Sequence, residues 1–266
     1  MGRLVFVGAG LGGPASLTPQ ALDTLKGSDT VFLETYTTLL PPGFAELLSS
    51  MTGRTIRSVG RREVEDGEVI LGHASAGTCA LVVGGEALSA TTHVSLRIEA
   101  ARRGIATDLV FGQSIFTAAP SLLGLQQYRF GRTVSMPLFT EKFRPSSPLA
   151  MIESNMREHL HTLLLLDIDA DSGYCMPPRT CFEQLLGLSA GAGHDLITES
   201  ALACTVSRAG TDTAETHAGR ISRLMDIDTG KPPHCVVVPS RLHHEEAEAL
   251  VMFSGARRDE VSGITD

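Results

Sequence analysis

The side chains able to do chemistry are few, and their spacing excludes more than it suggests. His93 follows Thr91-Thr92 where a helix is expected to begin, so it serves either a substrate or proton or the backbone at that helix end. His159 and His161 would share one strand face if the strand begins early, but two metal-type ligands without a third are better explained by helix-end packing. Asp167 and Asp169 follow an apolar run at a spacing that suits a Mg²⁺ pair and equally suits loop-capping carboxylates. Ser114 has no His and Asp partner in view, which argues against a serine nucleophile. His243-His244-Glu245-Glu246 opens the last helix as a solvated first turn that favours the helix dipole. No metal is expected, and the chemistry has to come from aligning bound molecules.

A place to bind them opens the chain. Residues 4–7 are an apolar, β-rich run, and Gly8, Gly10, Gly12 and Gly13 follow as a turn without Cβ atoms, which lets backbone approach a ligand. Thr18-Pro19 then reads as an N-cap and first helical residue. Gly8-x-Gly10-x-x-Gly13 matches a dinucleotide fingerprint, with Glu34 at the distance of a ribose-binding carboxylate. Pro14 and the Thr18 cap delay the helix by about a turn, so its N-terminus is not aimed at a pyrophosphate. A purely structural glycine turn is the remaining alternative.

The elements that position these residues alternate. Strands are expected at residues 4–7, 30–34, 55–59, 79–83 and 106–110, and helices at 19–25, 44–51, 65–74 and 92–103, the order of a parallel sheet covered on both faces. Ala80-Leu81-Val82-Val83 is an unbroken run suited to a central strand, and Gly84-Gly85 after it puts residues 86–93 at the carboxyl edge, where such sheets hold ligands. Past residue 113 the texture changes. A helix at 121–128, a strand at 133–136, a proline-rich connection to 148, a helix at 149–157, strands at 161–167, 201–207 and 234–238, and helices at 179–186 and 242–253 are expected, with a small-residue loop at 188–194 and Gly255 as a helix-ending glycine. This gives a first α/β domain over 1–115, a second over 116–256, and a tail at 257–266.

Composition narrows the class. With 42% apolar and 20% charged residues the chain reads as a soluble globular protein, and 266 residues suffice for two cores. A net charge of −8 argues against nonspecific nucleic-acid binding and suits a basic protein partner. Met1 leads straight into a strand, and no apolar run approaches the roughly 20 residues of a membrane span, so a cytoplasmic protein with neither signal peptide nor membrane contact is expected. Five widely spaced cysteines without a Cys-x-x-Cys pair read mainly as core filling rather than disulfides or zinc ligands.

Several segments, taken together, resemble one family. Val7-Gly8-Ala9-Gly10-Leu11-Gly12-Gly13-Pro14 with Leu17-Thr18 and Ala21-Leu22 is similar to the amino-terminal signature of the tetrapyrrole methylase superfamily. Glu34-Thr35-Tyr36-Thr37-Thr38-Leu39-Leu40, Ala90-Thr91-Thr92-His93, Gly124-Leu125-Gln126 with Tyr128-Arg129-Phe130-Gly131-Arg132, and His161-Thr162-Leu163-Leu164-Leu165-Leu166-Asp167-Ile168 narrow the resemblance to the diphthine synthase family. So do Arg208-Ala209-Gly210, Pro232-Pro233-His234, Val238-Pro239 and Leu242-His243, in order across nearly the whole chain.

The resemblance implies two α/β domains with S-adenosyl-L-methionine in the cleft between them and S-adenosyl-L-homocysteine as product. It further implies methylation of the amino group of the 3-amino-3-carboxypropyl-histidine on translation elongation factor 2, in archaeal or eukaryotic cytoplasm, by a homodimer; the compact length suits the archaeal enzyme. Cofactor contacts carried over by resemblance fall on Leu11, Glu86, Ser89, Ser114, Ile115, Leu165, Ala209 and His234. Where the family usually reads Gly-Asp-Pro this chain reads Gly85-Glu86-Ala87, which keeps a carboxylate one methylene further out and loses a rigid φ. Ser89 also stands where the family more often has an apolar residue. Another tetrapyrrole-type methylase and a dinucleotide-dependent enzyme remain the alternatives.

Overall fold

The computed structural model describes residues 2–37, 39–169, 172–193 and 195–265; Thr38 of the second family-like segment and His194 of the small-residue loop lie outside the described residues. The chain divides into two compact units, the first comprising Met1–Ile115, Asp169–Gly173 and Gly210–Asp212, the second Phe116–Ile168, Tyr174–Ala209 and Thr213–Asp266.

The first unit is built on β1 (Arg3–Gly8), β2 (Thr30–Glu34), β3 (Ile56–Val59), β4 (Thr78–Val83) and β5 (Ala106–Val110), all parallel in the order β3-β2-β4-β1-β5. Both faces are covered. Val5, Val7, Val31, Leu33, Ala80 and Val82 pack under α1 (Pro19–Gly27) and α2 (Phe44–Thr52). Leu4, Phe6, Phe32, Leu81 and Val83 pack under α3 (Arg61–Asp66), α4 (Glu68–Ala76) and α5 (Val94–Arg102). Two-sided burial is why β1 and β4 read as continuous apolar runs. At α1 the Thr18 hydroxyl accepts the Ala21 N–H at 3.1 Å, as the Thr-Pro pair predicts.

The single helix expected over 65–74 is two helices broken at Gly67, which has φ +72° and serves as the stop of α3 and the start of α4. The positive φ is what favours glycine there; a Cβ would lie 2.7 Å from Leu96 Cδ1, which a rotamer change of that leucine could relieve. The helix expected over 121–128 instead spans α6 (Ile115–Leu123), with Pro120 inside it. Gly124, at φ +72°, stops it, and a 3-10 turn at Gln127–Arg129 follows.

The second unit carries β6 (Val134–Met136), β7 (Thr162–Leu166), β10 (Leu202–Ser207), β11 (Glu215–Arg220) and β12 (His234–Val238) in the order β11-β10-β12-β7-β6, and β8 (Ile168–Asp169) with β9 (Tyr174–Cys175) makes a short ribbon. In the five-stranded sheet β6 runs parallel to β7, while β7, β12, β10 and β11 pair antiparallel in turn. One sheet face packs on α7 (Ser147–Arg157), α8 (Pro178–Gly191) and α9 (Ile221–Leu224), while α10 (His244–Ser254) and α11 (Arg258–Val261) complete the unit. Strand β11, Glu-Thr-His-Ala-Gly-Arg, was not expected: a polar edge strand carries no alternation to read. Much of the loop expected over 188–194 is the end of α8.

Residues 257–265, read as a tail, lie against the second unit. Val261 is buried, Glu260 pairs with Arg223 at 2.8 Å, and the Leu242 N–H bonds the Ile264 carbonyl at 2.7 Å. Cys79, Cys181, Cys204 and Cys235 are buried and unpaired, and burial pushes the Cys79 and Cys235 thiols up to about 12.

Among the described residues the Thr205 hydroxyl, fully buried on β10, finds no hydrogen-bond partner, and nor does Nε2 of His217 directly opposite on β11. A buried polar atom without a partner has lost its water for nothing. Thr205→Val is therefore expected to raise stability by about 1 kcal/mol, measured as a higher urea midpoint at unchanged slope; a lower midpoint would mean that the hydroxyl is satisfied in solution.

Candidate active site

The carboxyl ends of β1, β4 and β5 meet backbone to backbone. A Cβ on Gly8 would lie 2.5 Å from the Gly112 nitrogen, and one on Gly112 would lie 2.3 Å from the Gly85 carbonyl oxygen, so only glycine lets the three strand ends converge. Gly10 and Gly85 exchange two backbone hydrogen bonds, at 3.0 and 2.8 Å, tying the glycine turn after β1 to the turn after β4. Within the glycine turn the Gly12 N–H donates to Ser16 Oγ at 2.6 Å. The Leu11 Cδ2 stands 3.7 Å from where a Gly85 Cβ would be, and Ser114-Ile115 follow two residues after Gly112. The first unit thus gathers Leu11, the turn carrying Glu86 and Ser89, and the Ser114-Ile115 step at one sheet edge.

The turn after β4 is anchored from below. Ala87 is buried, and its carbonyl accepts the Thr91 hydroxyl at 2.9 Å and His93 Nδ1 at 3.0 Å. His93 is 1% exposed, and its Nε2 faces the Tyr36 hydroxyl at 3.4 Å with the rings edge-on. Both ring nitrogens are engaged, which favours the backbone-bonding role over proton transfer. Burial and the Glu34 charge hold the Tyr36 phenol above its ordinary value.

Glu34 is buried too. Its carboxylate is taken by the Tyr36 N–H, the Thr37 N–H at 2.6 Å and the Thr37 hydroxyl, so the acid required by the dinucleotide reading is spent in its own turn. Two family-like segments, 34–40 and 90–93, meet through Tyr36 and His93.

Three predicted residues of the second unit lie at neighbouring strand ends. Leu165 of β7 is opposite Cys235 of β12, which places it beside His234, and Ala209 follows Arg208, whose N–H bonds the Pro233 carbonyl at 2.8 Å. Ser207 Oγ stands 2.8 Å from His234 Nδ1. Burial, with the Arg208 charge nearby, lowers the His234 pKa to about 4, so a neutral imidazole is available as a hydrogen-bonding group at neutral pH.

The other early suspects have structural roles. His159 sits at φ +58° outside the strand and does not share a face with His161. Asp167 caps the Leu138 N–H at 2.9 Å, and Asp169 accepts the Ser172 hydroxyl at 2.7 Å.

The sequence reading missed Glu246, which is wholly buried rather than solvated. Its Oε1 accepts the Gln126 N–H at 2.9 Å and His161 Nε2 at 3.1 Å; its Oε2 accepts Arg129 Nη1 at 2.8 Å and the His243 N–H at 2.9 Å. The family-like segments around residues 124–132, 161–168 and 242–243 converge on this one carboxylate.

The model of the Tetrapyrrole (Corrin/Porphyrin) Methylases matches residues 3–224. A diphthine synthase of Methanothermobacter thermautotrophicus is 36% identical over 255 residues, covering 96% of this chain and 97% of that protein. The chain belongs to the diphthine synthase family of tetrapyrrole methylases. A second member, from Methanocorpusculum labreanum, is 37% identical over 261 residues, 95% of this chain and 99% of that protein. A crystal structure of a diphthine synthase superposes with a TM-score of 0.89 at 30% identity, covering 98% of this chain and 99% of that one. The family-like segment 124–132 supplies Gln126 and Arg129 to the buried Glu246 cluster. No helix among the described residues is long and apolar enough to cross a membrane.

Proposed function

We propose that this chain transfers methyl groups from S-adenosyl-L-methionine to the amino group of the 3-amino-3-carboxypropyl-histidine of translation elongation factor 2. The single observation carrying this reading is near-full-length membership of the diphthine synthase family, with the glycine turn and the Glu86 turn bonded to each other at the carboxyl edge of the first sheet. The residues present fit the cofactor. Among the described residues nothing bonds Glu86 Oε1, which leaves a carboxylate oxygen to accept from ligand hydroxyl or ammonium groups.

The proposed contacts are Leu11, Glu86, the backbone of Ser89, Ser114 and Ile115 in the first unit, and Leu165, Ala209 and His234 in the second. When bound, S-adenosylmethionine supplies an electrophilic methyl on sulfur and leaves as S-adenosylhomocysteine. The chain's task is to hold donor and acceptor in line and keep water away, which can provide several kcal/mol of the barrier reduction. The amine has to be neutral to attack, so its proton passes to a nearby base or to solvent, and with both nitrogens of His93 engaged that histidine is poorly placed to take it. By the same resemblance the enzyme acts as a cytoplasmic homodimer, and the charge of −8 argues against nonspecific nucleic-acid binding.

The expected result is a mass gain of whole methyl groups on elongation factor 2 carrying the aminocarboxypropyl histidine, after incubation with the chain and S-adenosylmethionine. Unmodified substrate would refute the reading. Thermal stabilisation by NADH but not by S-adenosylhomocysteine would instead revive the dinucleotide alternative, since a ligand at about 100 times its Kd adds about 2.7 kcal/mol.

A further inference from the structure

We propose that Ser89 is a positioning residue for Glu86, bending its carboxylate back into the turn so that Oε1 alone is offered to the ligand. This rests on the reading above that Glu86 faces S-adenosylmethionine. The geometry is local and closed. Glu86 Oε2 accepts the Ser89 hydroxyl at 2.6 Å and the Leu88 N–H at 3.1 Å, while the Ser89 N–H bonds the Glu86 carbonyl at 3.2 Å. Side chain and backbone of Glu86 are thus both tied to residues two and three positions on.

The tie has a physical reason. An aspartate can bond backbone N–H groups two residues on by itself, which is how such side chains stabilise turns. A glutamate has one more rotatable bond and more rotamer freedom to lose, so a single weak amide contact holds it poorly. The short Ser89 bond supplies the second anchor, and a charge-assisted O–H···O⁻ contact is among the stronger ones available. The backbone beneath is already fixed, by Gly10 on one side and by the Thr91 and His93 bonds to the Ala87 carbonyl on the other. Glu86's side chain is the remaining freedom, and Ser89 removes it. The ligand then meets one acceptor oxygen at a set place, a preorganisation that raises affinity without adding a contact.

Calorimetric titration with S-adenosylhomocysteine tests this on the full chain, using wild type, Glu86→Ala, Ser89→Ala, Ser89→Thr and the Glu86→Ala/Ser89→Ala double variant, each checked for an unchanged unfolding midpoint without ligand. Ser89→Ala is expected to weaken binding about fivefold and Glu86→Ala roughly 10- to 150-fold. Ser89→Thr, which keeps the hydroxyl, is expected to bind within about twofold of wild type. In the Glu86→Ala background the serine change should matter less than about twofold, because its effect runs through the carboxylate. A fivefold loss that persists without Glu86 would overturn the proposal, as would an unaltered affinity of Ser89→Ala alongside a weakened Glu86→Ala. Wild-type protein that does not bind the probe at all would defeat the functional reading itself, and the inference with it.

Discussion

Glu246→Ala is expected to lower the stability of the second unit by about 3–5 kcal/mol, because it removes a carboxylate that compensates a buried guanidinium and ties three chain segments together. Arg129 would be left 2.9 Å from the Arg241 carbonyl with its charge unpaired, and the N–H groups of Gln126 and His243 and the Nε2 of His161 would each lose an acceptor. The His161 Nδ1 already accepts the Ser240 N–H at 3.0 Å, so the ring presents Nε2 as a donor and cannot turn to find another partner. Native-state hydrogen exchange on peptides from β7 and β10 reads the second unit separately from the first. A loss below about 1 kcal/mol would mean that the cluster relaxes easily.

The same carboxylate predicts an acid signature. Burial would raise its pKa, but the His161 hydrogen bond and the Gln126 and His243 amides hold it at about 2, against an ordinary 4.5. A carboxyl with a depressed folded pKa contributes stability above its unfolded pKa and loses it as pH falls through the folded one. Wild-type stability should therefore fall more steeply than that of Glu246→Gln between pH 4.5 and about 2. Equal slopes would show that the carboxylate is not ionised at low pH.

The reason Glu246 escaped the sequence is instructive. His-His-Glu-Glu at a helix start satisfies the dipole rule wherever it points, and the partners Arg129 and His161 stand 117 and 85 residues away. Only its place three residues after the N-cap hinted that it reaches back. Local signals did better where local physics decides. Strands at Thr30–Glu34, Ala106–Val110 and His234–Val238 were legible to the residue, the first and last from β-rich apolar runs and the second from its place in the alternation. The Thr18 cap and the Gly255 stop, at φ +69°, were legible for the same kind of reason.

The break at Gly67 carries a local signal, Asp66-Gly67, which ends α3 and starts α4 within the stretch expected as one helix. The helix expected over 121–128 begins earlier, because α6 carries Pro120 inside it and ends at Gly124. For the candidate site, residue types marked the sheet edge and the carboxylate after β4. They did not show that Ser89 holds that carboxylate or that Glu34 is spent on its own turn, since hydrogen-bond geometry within a turn depends on torsions the sequence does not state.

Gly112→Ala is expected to cost about 3 kcal/mol and to weaken S-adenosylhomocysteine binding at least about tenfold. Gly112 is not among the residues with positive φ, so alanine meets no backbone strain there; the objection is purely one of space. Its Cβ would lie 2.3 Å from the Gly85 carbonyl oxygen and 2.7 and 2.8 Å from the Gly8 carbonyl carbon and oxygen, all backbone atoms that no rotamer change can move aside. Relief requires β5 to shift away from β1 and β4 at the edge where Leu11, Glu86 and Ser114 are brought together, which is why stability and affinity should fall jointly. Gly27→Ala is the matched control. Gly27 ends α1 in the open, nothing lies within 4 Å of its Cβ position, and its φ is not positive. Alanine there should be neutral or stabilise by about 0.4–1 kcal/mol through the unfolded chain, with affinity unchanged. If both variants unfold and bind like wild type, the glycines at the strand ends are not what holds the site's backbone together.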